Sequence, residues 1–111
     1  MSFPDFFDQL PLLDVPISED IVTIRAIRSD QGLVAFFTFH KDFEMPPHSH
    51  GFQWGTVIKG QLTFTIDGKS TTYGPGETYF LDRGEVHAVK AAAGTQALDV
   101  FEEPDRYPLK S

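Results

Sequence analysis

Cysteine is absent from all 111 residues, and that single absence removes disulfides, thiolate zinc sites, iron–sulfur ligation and every cysteine nucleophile. Positive charge is scarce as well: nine Lys and Arg stand against sixteen Asp and Glu, for a net charge of -7. An acidic surface repels phosphate backbones and anionic headgroups, so the chain is expected to bind neither nucleic acid nor a membrane. No run approaches the roughly eighteen apolar residues of a membrane span. The N-terminal residues carry Asp5 and Asp8 without a basic start and are interrupted by Pro4 and Pro11. They do not fit a secretory or transit peptide, and a cytoplasmic location is the expectation. Helical periodicity is missing beyond Ser18, where every stretch is broken by Gly, Pro or β-branched residues.

What remains is strand after strand. Residues 1–18, with Phe3, Phe6, Phe7, Leu10, Leu12 and Leu13 among three prolines, read as an irregular arm or one short helical turn. An arm that apolar is expected to pack on its own barrel or on a neighbouring subunit. Residues 19–111 have the size of one domain. Ile21–Ile24 and Leu33–Phe39 flank a hairpin turn at Ser29-Asp30-Gln31-Gly32, and Pro46-Pro47 is expected to break the ladder before His48. Thr56–Ile58 leads to a turn at Lys59-Gly60. Leu62, Phe64 and Ile66 alternate with Thr63 and Thr65, Asp67-Gly68 makes a tight turn, and Thr78–Leu81, Val86–Val89 and Gln96–Phe101 follow. The pattern predicts an all-β, antiparallel sandwich or barrel, with residues 102–111 as a tail. Trp54, Thr56 and Ile58 alternate on the face opposite Gln53 and Val57. That second apolar surface and the arm together argue for a homodimer.

The visible chemistry rests on histidines. On a strand, His48 and His50 share one face, and His87 could join them through long-range sheet pairing. Gln53 has the wrong parity for that face unless the chain turns near Gly51. Three neutral imidazoles and an oxygen suit one divalent transition metal, Fe, Ni, Mn or Zn. The competing reading makes His48 and His50 surface residues after a Pro-Pro bend and His87 a turn residue. His40 ends a strand and is left outside the site.

The run from Pro47 through His48-Ser49-His50-Gly51-Phe52-Gln53 to Gly60 resembles the first motif of the cupins. The run from Gly68 through Tyr73-Gly74-Pro75-Gly76-Glu77 to His87 resembles their second. The resemblance implies a double-stranded β-helix, or jelly-roll, barrel. It makes His48, His50 and His87 metal ligands and sets Gln53 where most cupins have glutamate. The Pro of the usual Pro-x-Gly before the last histidine is replaced by Asp82. A neutral amide in place of a carboxylate leaves a divalent ion at formal charge +2, which favours an anionic ligand.

A second constellation lies near the C-terminus. If Leu98 and Val100 face one way, Asp99 and Phe101 face the other, which in a barrel is the pocket side; there Asp99 would serve as a general base. The alternative is an edge-strand Asp bonded to backbone or an arginine. Leu98-Asp99-Val100-Phe101 followed by Pro104 and Arg106 also resembles the cupins of pectin degradation that convert unsaturated uronic acids to linear keto sugars. That likeness implies that Asp99, Phe101 and Arg106 line the pocket, with Arg106 clamping a substrate carboxylate. Pairing of Arg106 with Glu102, Glu103 or Asp105 competes with it. Tyr79, Phe52 and Trp54 read as core or interface aromatics. Three functions stay open: a metal-dependent enzyme acting on a small carboxylate such as a sugar acid or keto acid by isomerisation, ring opening or lyase chemistry; a non-catalytic binding or sensor protein; and an iron-dependent dioxygenase.

Overall fold

In the computed structural model, which describes residues 1–110, side-chain alternation sorts the chain into nine strands. Ser111, the last residue of the expected tail, lies outside the described residues. The strands are β1 (Val22–Ser29), β2 (Gly32–Phe39), β3 (Phe43–His48), β4 (Gln53–Lys59), β5 (Leu62–Ile66), β6 (Lys69–Tyr73), β7 (Thr78–Leu81), β8 (His87–Ala91) and β9 (Gln96–Phe101). They form two antiparallel sheets, one ordered β1-β2-β9-β4-β7 and one β3-β8-β5-β6. This is the double-stranded β-helix of a jelly roll, with the core between the inner faces.

Local sequence explains most of the elements. In β5, Leu62 and Phe64 are buried while Thr63 and Thr65 point outward. Its turn to β6 uses Asp67 at φ 52 and Gly68 at φ 75. Two consecutive positive φ angles define the primed turn that matches strand twist, and this is why a short polar residue and a glycine stand there. The β1–β2 hairpin turns at Ser29–Gly32 as the sequence predicts.

Three expectations need correction, and one strand, β6, is not foreseen. Strand β1 continues to Ser29, five residues beyond the apolar run at Ile21–Ile24, and its last three residues are exposed, so burial does not mark them. Pro46 and Pro47 do not end the ladder before His48; they lie inside β3. That strand is an edge strand with a register irregularity between Met45 and His48, where proline removes no required hydrogen bond. Strand β6, all hydroxyls and charge until Tyr73, carries too little apolar signal to be read from sequence. The C-terminal segment is no loose tail: Leu109 pairs with Leu13, and Lys110 N donates to Leu12 O at 2.8 Å.

Residues 1–18 lie along the open edge and outer face of the larger sheet. A short 3-10 helix spans Asp5–Gln9. Phe3 and Phe7 pack on Phe36 with ring centroids 5.6 and 4.7 Å away. Leu13 N donates to Ile24 O, and Ala26 N donates to Pro11 O, so the arm occupies backbone groups that edge strand β1 would otherwise expose.

Candidate metal centre and its buried acid

His48 ends β3, His87 begins β8, and the two are register partners on neighbouring strands. Their ring centroids are 4.3 Å apart. His50 reaches them differently from the strand-face expectation: the chain leaves β3 after His48, and the loop before β4 turns the imidazole back, 4.9 Å from His87 between centroids. Two acids hold that loop. Glu102 accepts from Phe52 N and Glu103 from Gly51 N, both at 2.7 Å. Arg83 in turn grips Glu102 with Nε and NH2, and these bonds together with the Phe52 amide hold the Glu102 carboxyl down at about 2. Two of the three acids that sequence offered as partners for Arg106, Glu102 and Glu103, therefore brace the His50 loop.

The three rings are set up as ligands. Nδ1 of His48, His50 and His87 bonds the carbonyl of Pro46, Gly51 and Glu85 respectively, at 2.8 to 2.9 Å. A carbonyl can only accept, so Nδ1 carries the proton of each neutral ring and Nε2 keeps its lone pair. His87 is 2% exposed, and its Nε2 is buried without a hydrogen-bond partner. Burial lowers the pKa of His87 and His50 against their carbonyl bonds, with the Arg106 charge adding to the effect at His50. Neutral rings are the metal-binding form. The ligand atoms of the three histidines lie within 4.8 Å of one another. Nitrogens about 2 Å from a common ion lie within about 4 Å of each other, so side-chain adjustment closes the cluster on one divalent transition metal ion. The orphaned Nε2 is the observation that fits the group to the site.

Gln53 opens β4 and turns inward after the break at residues 49–52, which resolves the parity conflict. Its side chain lies beside the Asp99 carboxyl, where it favours the charged form. Asp99 and Phe101 face the interior of β9, as the alternation suggests, and both line the same cavity as the histidines. Asp99 is 5% exposed. Burial pushes its carboxyl up to about 6, against the Tyr79 hydrogen bond and the Gln53 side chain, which favour the carboxylate.

Tyr79 is more than the core aromatic it reads as. Its hydroxyl donates to Asp99 Oδ1 at 2.6 Å, reaching from β7 across β4 to β9. The residue it crosses is Gly55, register partner of both Tyr79 and Asp99. A Cβ there would overlap Asp99 Oδ1 and lie 2.6 Å from the Tyr79 ring. A lone glycine inside a strand of larger residues is the signal that could have found this contact. Burial, with the Asp99 charge behind it, raises the Tyr79 phenol far above its ordinary value and keeps it a donor.

Arg106 is not among the cavity-lining residues. Its guanidinium carbon sits 4.3 Å from the centroid of the Tyr107 ring, and Tyr107 is the residue that lines the cavity. His40 stays outside the site, exposed and bonded to Thr23 Oγ1 at 2.7 Å.

A jelly roll with three convergent histidines at one end of its interior defines a metal-binding β-barrel protein. Residues 35–102 match the cupin domain family, and the chain belongs to that family. Its backbone is similar to that of an RmlC-like cupin from Shewanella frigidimarina, with TM-score 0.74 at 20% identity over 95% of this chain and 90% of that one. KdgF from a Halomonas species gives TM-score 0.73 at 19% identity over 89% and 90%. Bacillus subtilis oxalate decarboxylase, a protein with Mn(II) centres, gives 0.63 at 21% over 76% of this chain and 26% of that one. At these identities the likeness establishes the fold. No curated protein matches the sequence. No helix among the described residues is long and apolar enough to cross a membrane.

Proposed function

We propose that this cupin is a metal-dependent enzyme acting on a small carboxylate-bearing substrate, a sugar acid or keto acid, with Asp99 as the group that moves the proton. The observation that carries the reading is the placement of a buried, proton-ready carboxylate in the same cavity as three histidines poised for a metal. His48, His50 and His87 would hold the ion. Gln53 would add its amide carbonyl oxygen. When bound, the ion supplies Lewis acidity toward a substrate carbonyl and a positive charge for the carboxylate. Asp99 accepts a proton from the carbon beside that carbonyl and returns it elsewhere on the substrate. Tyr79 and Gln53 hold the carboxylate in one orientation throughout, so little reorganisation accompanies the transfer. Phe101 excludes water beside it. Arg106, behind Tyr107, draws an anion toward the mouth by its charge.

The test is turnover of unsaturated monouronates and short keto acids by the metal-loaded protein and its Asp99→Asn variant. Loss of a general base lowers the rate by about 10²- to 10⁴-fold. An active enzyme whose Asn variant keeps more than half its rate would assign the proton transfer elsewhere, and an inactive wild type would discard the substrate class.

A homodimer is part of this reading. Ile27, Val34, Val100, Trp54 and Phe80 align in one register row across the outer face of the larger sheet. Ile27, Trp54 and Phe80 are 51%, 41% and 62% exposed. The arm covers the neighbouring row at Phe36 and leaves this one open. A second copy placing the same row against it would bury both, in a self-complementary contact. Cytoplasmic residence completes the proposal.

A further inference from the structure

The polar groups of the cavity stand at one end. His48, His50, His87 and Gln53 are together there with Asp99 in the next inner row, and the rest of the lining is built from side chains such as Ile17, Phe37, Phe43, Met45 and Val89. These come from the N-terminal segment and from both sheets. Among the described residues, no Lys, Arg, Ser, Thr or Asn lines the space, and the Tyr107 hydroxyl is the one further polar side-chain group. The cavity is small, about 60 Å³.

Wall chemistry and size select against a polyhydroxylated substrate. A uronate would bring several hydroxyls to side chains that can neither donate nor accept, and every hydroxyl buried unpaired weakens binding. An alkyl group gains affinity against the same wall. Resting on the reading above, we propose that the site takes a short α-keto acid with a compact branched alkyl side chain, rather than a sugar acid. Its carboxylate and neighbouring carbonyl oxygen lie at the histidine end, where the bound ion is the positive charge available inside the cavity. Its alkyl group lies between Met45, Val89 and Phe43. Asp99, at the boundary between the two ends, faces the carbon that joins them.

Calorimetric titration of the Mn(II)-loaded full chain tests this with three probes: α-ketoisovalerate, pyruvate and galacturonate. Two buried methyl groups make the branched acid bind at least about tenfold more tightly than pyruvate, with galacturonate the weakest. Met45 and Val89 are half-buried, so substitutions there leave the barrel folded, which melting verifies. Met45→Gln and the nearly isosteric Val89→Thr should each shrink the advantage of the branched acid over pyruvate several-fold, whereas Met45→Leu preserves it. Galacturonate binding as tightly as α-ketoisovalerate, no binding of the branched acid, or an unchanged ratio in both polar variants would overturn the inference. Failure of the protein to take up Mn(II) in the preceding metal titration would overturn the reading of the site itself. Mn(II) uptake followed by preference for the sugar acid would overturn the keto-acid assignment alone.

Discussion

The two sheets share a core and differ on their outer faces. Across the smaller one, Thr72, Thr63, Lys90 and Glu44 form a register row. It is closed by a Thr63–Thr72 hydroxyl bond of 2.8 Å and a Lys90–Glu44 ion pair of 3.4 Å. Across the larger one the equivalent row is Ile27, Val34, Val100, Trp54 and Phe80. A polar row satisfied within itself belongs to solvent; an apolar row of this length calls for a cover. The inner faces divide the chemistry as well. The smaller sheet supplies His48 and His87, and the larger one Gln53, Asp99 and Tyr79. The paired histidines and the buried acid thus come from opposite walls and meet only because the sheets are packed face to face.

Breaking the histidine wall should have the largest effect. Removing the fully buried ring in His87→Ala lowers metal affinity by more than about 100-fold, since altering even the groups that support a ligand costs up to that much. Elemental analysis and calorimetric metal titration read the loss, and retention of one tightly held equivalent would contradict the assignment. Next comes the larger sheet's inner row. Gly55→Ala drives a methyl group between Tyr79 and Asp99 and destabilises the fold by about 2–4 kcal/mol through overpacking and a buried hydroxyl deprived of its acceptor. Denaturant unfolding measures it, and a wild-type midpoint would mean the row can open.

Asp99 gives a smaller effect with a definite pH signature in chelator-treated protein. Its carboxyl rises from 3.8 to about 6 on folding, so the folded state binds the proton more tightly than the unfolded one. Burial of this group costs least below about pH 4, and the cost grows as pH rises through 6, toward roughly 2–3 kcal/mol by pH 8. Asp99→Asn should therefore melt higher than the wild type at pH 8 and no higher at pH 4. Equal gains at both pH values would show that the carboxylate charge is not what the fold works against.

The smallest change in monomer stability is expected outside, where the two faces are compared directly. Phe80→Asp in the apolar row turns the sedimenting dimer into monomer while leaving the melting of the monomer within about 1 kcal/mol. Thr63→Val in the polar row changes stability by less than about 0.5 kcal/mol and leaves assembly untouched. Should the wild type already sediment as a monomer, the apolar row has another cover.

Much of this was legible locally. The period-2 alternation of β5 and β9 put Leu62, Phe64, Asp99 and Phe101 on inner faces. The primed turn was visible at Asp67-Gly68, and the two motifs around His48, His50 and His87 anticipated the cluster. The arm's phenylalanines announced that they needed a surface. These are properties of neighbouring residues, where backbone geometry and solvent transfer act over a few positions, and the sequence alone determines them. What only the tertiary structure decided involves register between strands far apart in the chain. It stacked Tyr79, Gly55 and Asp99 in one row and bent the loop that carries His50 onto the acids Glu102 and Glu103. It lined the cavity with Tyr107 while Arg106 lies over that ring, and it retained Pro46 and Pro47 on an edge strand. Alternation says which face a side chain takes. Which partner it meets there depends on how β4 slides against β7 and β9, and that is settled by the packing of the whole core.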